Sequence, residues 1–156
     1  MRRLLAAILV VCAIVAAGSA IAASPVGTWK GRFHGAPAKL PGKLSPKSKQ
    51  AVDLFVERMK SMRVTLKIKA DHSFVIDLTG TEHGKKTASR VEGSWQLTGD
   101  TLVTTNLKRN GSVLGREGQV QNKFSLSKDG KTLTRRFAAG QGLMVGQIVL
   151  KRQKTG

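Results

Sequence analysis

The chain has 156 residues, 40% of them hydrophobic, and carries 27 lysine and arginine side chains against 9 acidic ones, a formal charge of +18. This length favours one domain and leaves little room for two. A single cysteine, Cys12, excludes a disulfide within the chain, so the fold must depend on its hydrophobic core.

The first residues have the three parts of a secretory signal peptide. Two arginines follow Met1, an unbroken apolar run covers residues 4–17, and residues 20–22 provide the small-x-small pattern that signal peptidase recognises. Cleavage after Ala22, or one residue later, would remove the cysteine, two bases and no acid, which lowers the formal charge from +18 to +16. The sequence therefore predicts export to the periplasm or to the medium.

This cleavage divides the chain into a signal peptide, 1–22, and a single domain, 23–156. The alternative is an uncleaved membrane anchor, because the run 4–23 is just long enough to cross a hydrocarbon core about 30 Å thick. No charged flank that would stop transfer follows this run, so we expect no transmembrane segment after cleavage. Lipid attachment is not expected at Cys12, since two valines and no small residues precede it.

The mature part is predicted to begin with a strand and then a helix. Residues 26–33 form the strand, and the proline-, glycine- and lysine-rich segment 35–47 is predicted to be a loop. Ser45 and Pro46 are typical of a helix start, with serine as the N-cap and proline in the first turn. Apolar residues then recur at spacings of three and four, which predicts one amphipathic helix over about 46–62. Its apolar face consists of Val52, Phe55, Val56, Met59 and Met62.

From residue 63 onward apolar and polar residues alternate, which is typical of half-buried strands. Short turns separate these segments, among them the Asp129-Gly130 pair that favours a hairpin. About eight strands with one helix favour an antiparallel meander closed into a barrel or a sandwich. A parallel fold would need a helix between most strands. The strands predicted after the helix cover about 63–70, 74–78, 90–97, 102–107, 120–126, 133–137 and 148–150.

Four segments carry a resemblance to a known family: VGTWKG at 26–31, ADHSFVIDLTG at 70–80, VEGSWQLTGDTLVTT at 91–105 and FSLSKDGKTLTRRF at 124–137. In this order they resemble the lipocalin-like (calycin-type) domains of small exported bacterial proteins. The resemblance implies an eight-stranded barrel in which an early tryptophan plugs one end and a basic residue of the last strand packs over it.

The resemblance assigns these roles to particular residues. Trp29 would be the plug, and Lys151 or Arg152 its cover. The helix over about 46–62 is an insertion after the first strand of that pattern. We expect it to cap one barrel mouth as a lid, with Phe55, Met59 and Met62 filling the space beneath it.

No residue pattern points to catalysis, and no cofactor is predicted. His34, His72 and His83 have no partner at metal-ligand spacing, so no metal site is predicted. The Gly-Lys-Thr at 130–132 lacks the upstream glycine of a phosphate loop, and the serine in 111–115 is out of step with a nucleophile elbow. The chain is therefore predicted not to be an enzyme.

The positive charge departs most from an average domain. It suits electrostatic attachment to an anionic polymer or membrane surface: lipid headgroups, acidic polysaccharide or nucleic acid. The alternative is a self-repelling surface that only keeps the protein soluble. The aromatic residues follow the core alternation and not the basic clusters, which argues against specific nucleic-acid recognition. The candidate contacts, predicted in loops and at outward strand positions, are Lys67, Lys69, Lys85, Lys86, Arg90, Arg135 and Arg136.

Three hypotheses of function follow, in this order. The first is an exported binding protein whose barrel holds an unidentified small apolar ligand, and an interior cavity would favour it. The second is a polyanion-binding accessory protein in which the barrel is a scaffold for the basic surface. The third is a secreted hydrolase of unfamiliar design, which would need two carboxylates or a histidine and a carboxylate converging in a cleft.

Overall fold

The computed structural model describes residues 23–37, 45–82, 84–139 and 144–154, so the predicted signal peptide lies outside the described residues. The described chain contains nine strands, one α-helix and one short 3-10 turn. In chain order they are β1 (Gly27–Pro37), α1 (Pro46–Ser61), β2 (Arg63–Ile68), β3 (Ser73–Glu82), β4 (Lys85–Thr98), β5 (Thr101–Arg109), β6 (Ser112–Val113), the 3-10 turn (Arg116–Gly118), β7 (Gln121–Leu126), β8 (Thr132–Ala139) and β9 (Met144–Arg152).

Eight of these strands close into an antiparallel barrel. The pairing runs β1-β2-β3-β4-β5-β7-β8-β9 and returns from β9 to β1, while the two-residue β6 pairs with β5 alone. Closure leaves no barrel strand with an unpaired edge along its whole length. The predicted antiparallel meander, closed into a barrel with one helix after the first strand, is confirmed.

Side-chain alternation decides which residues form the core. On β2 exposed or half-buried residues alternate with the buried Val64, Leu66 and Ile68, and β7 follows the same rule. Burial of these apolar side chains is the main term that favours folding. The barrel core consists of Trp29, Val64, Leu66, Ile68, Phe74, Val91, Leu102, Phe124, Leu126, Leu133, Ile148 and Leu150.

Helix α1 begins and ends close to the predicted residues. The Ser45 hydroxyl accepts a hydrogen bond from the Ser48 N–H at 3.1 Å, and Pro46 occupies the first turn. Met62 has extended backbone angles, so the helix ends at Ser61 and β2 follows at once. The buried side chains of the helix are Val52, Val56 and Met59, and the helix packs on β1 and β3.

Some strands extend beyond the predicted bounds. The segment between the predicted strands 74–78 and 90–97 is mostly sheet, because β3 continues to Glu82 and β4 begins at Lys85, with Gly84 at φ +75° in the tight turn between them. Residues 85–88 of β4 are exposed, and Gly80 and Thr81 of β3 contact the end of the helix instead of the barrel core, so the sequence here lacks the alternation of a half-buried strand. Backbone pairing from Thr79–Ala88 to Glu82–Lys85 continues the strands there.

Candidate binding site

One end of the barrel is closed by Trp29, whose side chain is fully buried. Its indole Nε1 donates to the Pro25 carbonyl at 2.8 Å. The Arg152 guanidinium lies over the indole with its Cζ 4.8 Å from the ring centroid, and its Nη2 donates to the carbonyls of Ser24 and Val26. Of the two residues expected as cover, Arg152 therefore lies on the ring and Lys151 is exposed.

Helix α1 lies at the opposite end, because it leads from the end of β1 to the start of β2, whereas Trp29 pairs with Leu66 near the end of β2. The Thr81 N–H donates to the Ser61 hydroxyl oxygen at 3.2 Å. Arg58 Nη1 lies 2.8 Å from Glu82 Oε1. These contacts attach the helix to the far end of β3.

The three residues expected to form a lid differ in their surroundings. Phe55 is partly buried and packs with Val52 and Val56 in a cluster of their own, separate from the barrel core. Met59 is buried, and Met62 lies against Gly80 of β3. A groove of about 500 Å³ runs between the helix and the β3–β4 turn, lined by residues that include Leu54, Phe55, Arg58, Thr81, Glu82 and Gly84.

The inner wall of the barrel is apolar on the side formed by β9, β1, β2 and β3. The rings of Phe33 on β1 and Phe137 on β8 meet edge to face, with centroids 5.7 Å apart. Phe33, Ile76, Leu78 and Phe137 pack against the core yet keep part of their surface exposed. These inward side chains are therefore less completely covered than the core residues nearer Trp29.

The inner wall is polar on the side formed by β5, β7 and β8. Thr104 and Asn106 alternate with outward residues of β5, and Asn122 does so on β7, at positions in step with the core residues Leu102 and Phe124. All three polar residues are buried. Asn122 Nδ2 donates to Asn106 Oδ1 at 3.2 Å, and the Thr104 hydroxyl has no hydrogen-bond partner among the described residues.

The prediction that Arg135 lies at an outward strand position or in a loop is wrong, because this residue is on the inward-facing side of β8. It stands between Leu133 and Phe137 on the inward-facing row of β8 and pairs with the buried Ile148. Because neighbours on a strand point to opposite faces, only one of Arg135 and Arg136 can face water, and that residue is Arg136. Burial lowers the pKa of the Arg135 guanidinium from its ordinary value, although arginine keeps its charge in proteins.

Strands β7 and β8 separate at this point of the barrel. They pair at Ser125–Thr134 and Leu126–Leu133 only, whereas β8 and β9 pair at every position of β8. Continuing the same register would bring Phe124 opposite Arg135. Arg135 therefore lies where the wall opens. On the neighbouring strand β7, Asn122 is the inward residue next to Phe124.

The other predicted polyanion contacts are on the outside. Arg90 is occupied by two acids, with its Nε 2.9 Å from Glu92 Oε1 and its Nη1 3.8 Å from Asp77 Oδ1. Lys67, Lys69, Lys85, Lys86 and Arg136 are exposed. Strands β2, β1, β9 and β8 contain no acidic residue, and their exposed bases form what we call the basic face: Lys30, Arg32, Arg63, Lys67, Arg136 and Lys151.

The two histidines that the structure describes do not gather into a site. His72 stacks on Trp95 with ring centroids 4.7 Å apart, His34 is exposed on β1, and His83 lies outside the described residues. Within the described ranges, no three histidine, cysteine or acidic side chains could hold a metal ion. In the same ranges, no helix has the length and apolar character needed to cross a bilayer.

Thr104, Asn106 and Asn122 were not predicted as site residues. The signal was present in the alternation, since each is in step with buried leucine or phenylalanine on its own strand. A comparison of the chain with protein-family models, curated proteins and solved structures finds no match. The site is therefore interpreted from its own geometry.

Proposed function

We propose that this chain is an exported, non-enzymatic binding protein that holds a small, partly apolar ligand inside its barrel. The observation that carries the proposal is the difference between the two ends. Trp29 and Arg152 close one end, while inward residues toward the other end, such as Phe33 and Leu78, keep exposed surface. Concave sites of this kind, mostly apolar with a few polar groups, are typical of small-molecule binding.

Export and the absence of catalysis are supported by the sequence. The charged, apolar and small-residue parts of segment 1–22 have the order of a cleaved signal peptide, which supports action in the periplasm or the medium. The chain has no pattern of a nucleophile with its base. The inner faces of β5, β7 and β8 supply amide, hydroxyl and guanidinium groups, which bind and orient ligands more readily than they transfer protons at neutral pH.

The test uses protein recovered from the envelope fraction and the medium of cells that express the full chain. Native mass spectrometry should show a co-purifying small molecule, and the neutral dye Nile red should bind with increased fluorescence. Leu78→Trp, which adds bulk at an inward position of β3, should weaken dye binding about tenfold or more, as for the loss of well-packed apolar contact. Thr79→Trp adds the same ring at the next, outward position and should leave it unchanged.

Two results would contradict the proposal. One is the absence of dye binding and of any co-purified molecule in folded protein. The other is equal dye binding by Leu78→Trp and Thr79→Trp, since the dye would then sit on the outer surface.

A second candidate function is favoured by the basic face. Lys30 and Lys151 are direct cross-strand partners on it, and no acid on the same four strands compensates them. Such a surface attracts polyanions with an affinity that falls steeply with salt. It would act as a docking surface on the outside of the barrel and is compatible with a ligand inside.

Retention on a heparin column in a salt gradient tests this candidate. The double variant Lys30→Glu with Lys151→Glu should elute at clearly lower salt than the wild type. Lys108→Glu with Lys123→Glu makes the same charge change on the exposed faces of β5 and β7 and is the matched control. Equal shifts in both variants would mean that only net charge matters and that the basic face is not a site.

A further inference from the structure

We infer that residues 107–120, which we call the docking hairpin, attach the protein to the surface of an anionic lipid bilayer. This segment contains the end of β5, the short strand β6 and the 3-10 turn. Its exposed apolar side chains enter the headgroup layer, and its arginines contact the lipid phosphates. The inference goes beyond the ligand inside the barrel and does not depend on it. It rests on an apolar patch, on the charge beside this patch, and on a fixed hairpin geometry.

The first observation is a group of apolar side chains in contact with water. Six large apolar side chains are exposed among the described residues, and three of them, Leu107, Val113 and Val120, lie in the docking hairpin. Val113 is 77% exposed, the largest fraction of the six. Single exposed apolar residues are common on protein surfaces, whereas a group of them marks a site of interaction.

The sheet register places the two valines side by side. Val113 is the direct partner of Lys108 on β5. The Asn106 N–H donates to the Val120 carbonyl at 3.1 Å, which continues the β5–β7 register by one residue. Since Asn106 and Lys108 are two positions apart on one strand, their partners point to the same face, about 7 Å apart along β5. Leu107 points to the opposite face, so the hairpin has apolar surface on both faces and the barrel could cover only one.

The second observation is the charge beside this patch. Arg109 on β5 and Arg116 in the 3-10 turn are exposed, and neither belongs to an ion pair among the described residues. Glu117 is the single acid of the docking hairpin. Guanidinium groups bind phosphates well, and each base near an anionic bilayer strengthens attachment about fivefold. The same charges oppose a second copy of the chain as the occupant, because like charges would meet across the contact.

The third observation is that the hairpin is already formed in the free protein. Asn110 and Gly111 have φ of +49° and +83°, the backbone region that tight hairpin turns require. The Asn110 side-chain oxygen accepts from the Arg90 N–H at 2.8 Å, and the Asn110 N–H donates to the Arg90 carbonyl at 2.8 Å. A preformed hairpin loses little conformational entropy on binding. Apolar contact together with attraction to anionic lipid is what holds a protein at a bilayer surface.

The test is flotation of the full chain, as exported, with vesicles of phosphatidylglycerol and phosphatidylcholine in equal parts. The protein should bind these vesicles and bind phosphatidylcholine alone much more weakly. Val113→Ser should weaken binding about tenfold, the factor for removing one valine side chain from apolar surroundings. Val26→Ser is the matched control, since it makes the same change at an exposed valine near the closed end, and it should bind as the wild type does.

A second pair of variants tests the charge. Arg109→Gln with Arg116→Gln should weaken vesicle binding about tenfold or more and reduce its dependence on salt. Lys128→Gln with Lys131→Gln removes the same charge from exposed positions of the β7–β8 turn, at the closed end, and should have a much smaller effect.

A fluorescent reporter locates the contact directly. Val113→Trp should show emission that shifts to the blue on binding and is quenched by vesicles with brominated acyl chains. Val26→Trp adds the same ring at the closed end and should show neither change. Trp29 and Trp95 are present in both variants, so their contribution is common to the comparison.

Several results would overturn the inference. One is the absence of binding to the anionic vesicles. If Val113→Ser binds as the wild type does and only the arginine variant is weakened, the hairpin holds anions by charge alone, and a soluble polyanion is its ligand. Equal losses in the arginine and lysine variants would mean that only net charge matters. If the wild type sediments as a dimer and Val113→Ser as a monomer, the patch is an interface between copies. None of these results changes the case for a ligand inside the barrel, which dye binding tests separately.

Discussion

Replacement of Arg152 by methionine tests whether the closed end of the barrel is held by this side chain. Methionine preserves much of the apolar stem but removes the guanidinium over Trp29 and its donors to the Ser24 and Val26 carbonyls. A partly desolvated cation–π contact contributes about 1–2 kcal/mol. Hydrogen bonds that involve a charged group contribute about 1.5–3 kcal/mol. Because one side chain makes all of these contacts, they are not additive, and we expect a loss of about 3 kcal/mol in the free energy of unfolding.

The measurement is chemical and thermal unfolding followed by circular dichroism. A loss of this size should lower Tm by roughly 10 °C in a domain of this length. Lys151→Met is the matched control, because Lys151 is the adjacent exposed residue of β9, and surface changes usually stay within about 0.5 kcal/mol. Limited proteolysis should also release segment 23–26 sooner in the Arg152 variant. Equal stability of the two variants would refute the reasoning.

Three other perturbations have definite expected results. Phe55→Ala should destabilise by about 2 kcal/mol in urea unfolding, less than a core phenylalanine, because its cluster with Val52 is small and only partly buried; a loss above about 4 kcal/mol would contradict this placement. Gly31→Ala should prevent the chain from folding into a cooperative barrel, because the added Cβ would overlap the Val149 carbonyl where β1 meets β9. Circular dichroism checks this, and a native-like spectrum would show that the two strands can move apart. The hydrogen bond from the Ser127 hydroxyl and then the one from the Lys131 N–H lower the pKa of Asp129. The stabilising effect of the carboxylate is therefore present above the ordinary pKa of 3.8 and is lost as pH falls through the lowered pKa. Asp129→Asn should make the free energy of unfolding less dependent on pH below about pH 4, and an unchanged pH profile would contradict the assignment.

The barrel and its helix could be predicted because their signals are local. Alternation on β2 and β7 gives the buried face of each strand, and the cap at Ser45 fixes where α1 begins. The ends of β3 and β4 could not be predicted in this way. There the strand state is maintained by pairing with the neighbouring strand and not by a buried face, and pairing is a tertiary property.

The polar wall was missed because residue type was given more weight than position. Two adjacent arginines in a strand cannot both face water, so the pair Arg135-Arg136 already implied one inward guanidinium. The same rule applies to Thr104 and Asn122. The separation of β7 from β8 beside Arg135 was beyond the sequence, since both strands alternate normally up to the point where their pairing stops.

The two ends of the barrel differ in how firmly they are held, and this difference agrees with the proposed path of a ligand. At the closed end Trp29 is fully buried and lies beneath Arg152. At the other end, contacts between the helix and β3 include a hydrogen bond from Thr81 to Ser61 and the Arg58–Glu82 ion pair, whose side chains are 47% and 35% exposed. Exposed ion pairs contribute little, and segments with few buried contacts open most readily. On these contacts, the helix end, where a ligand would have to enter, should open more readily than the end closed by Trp29 and Arg152.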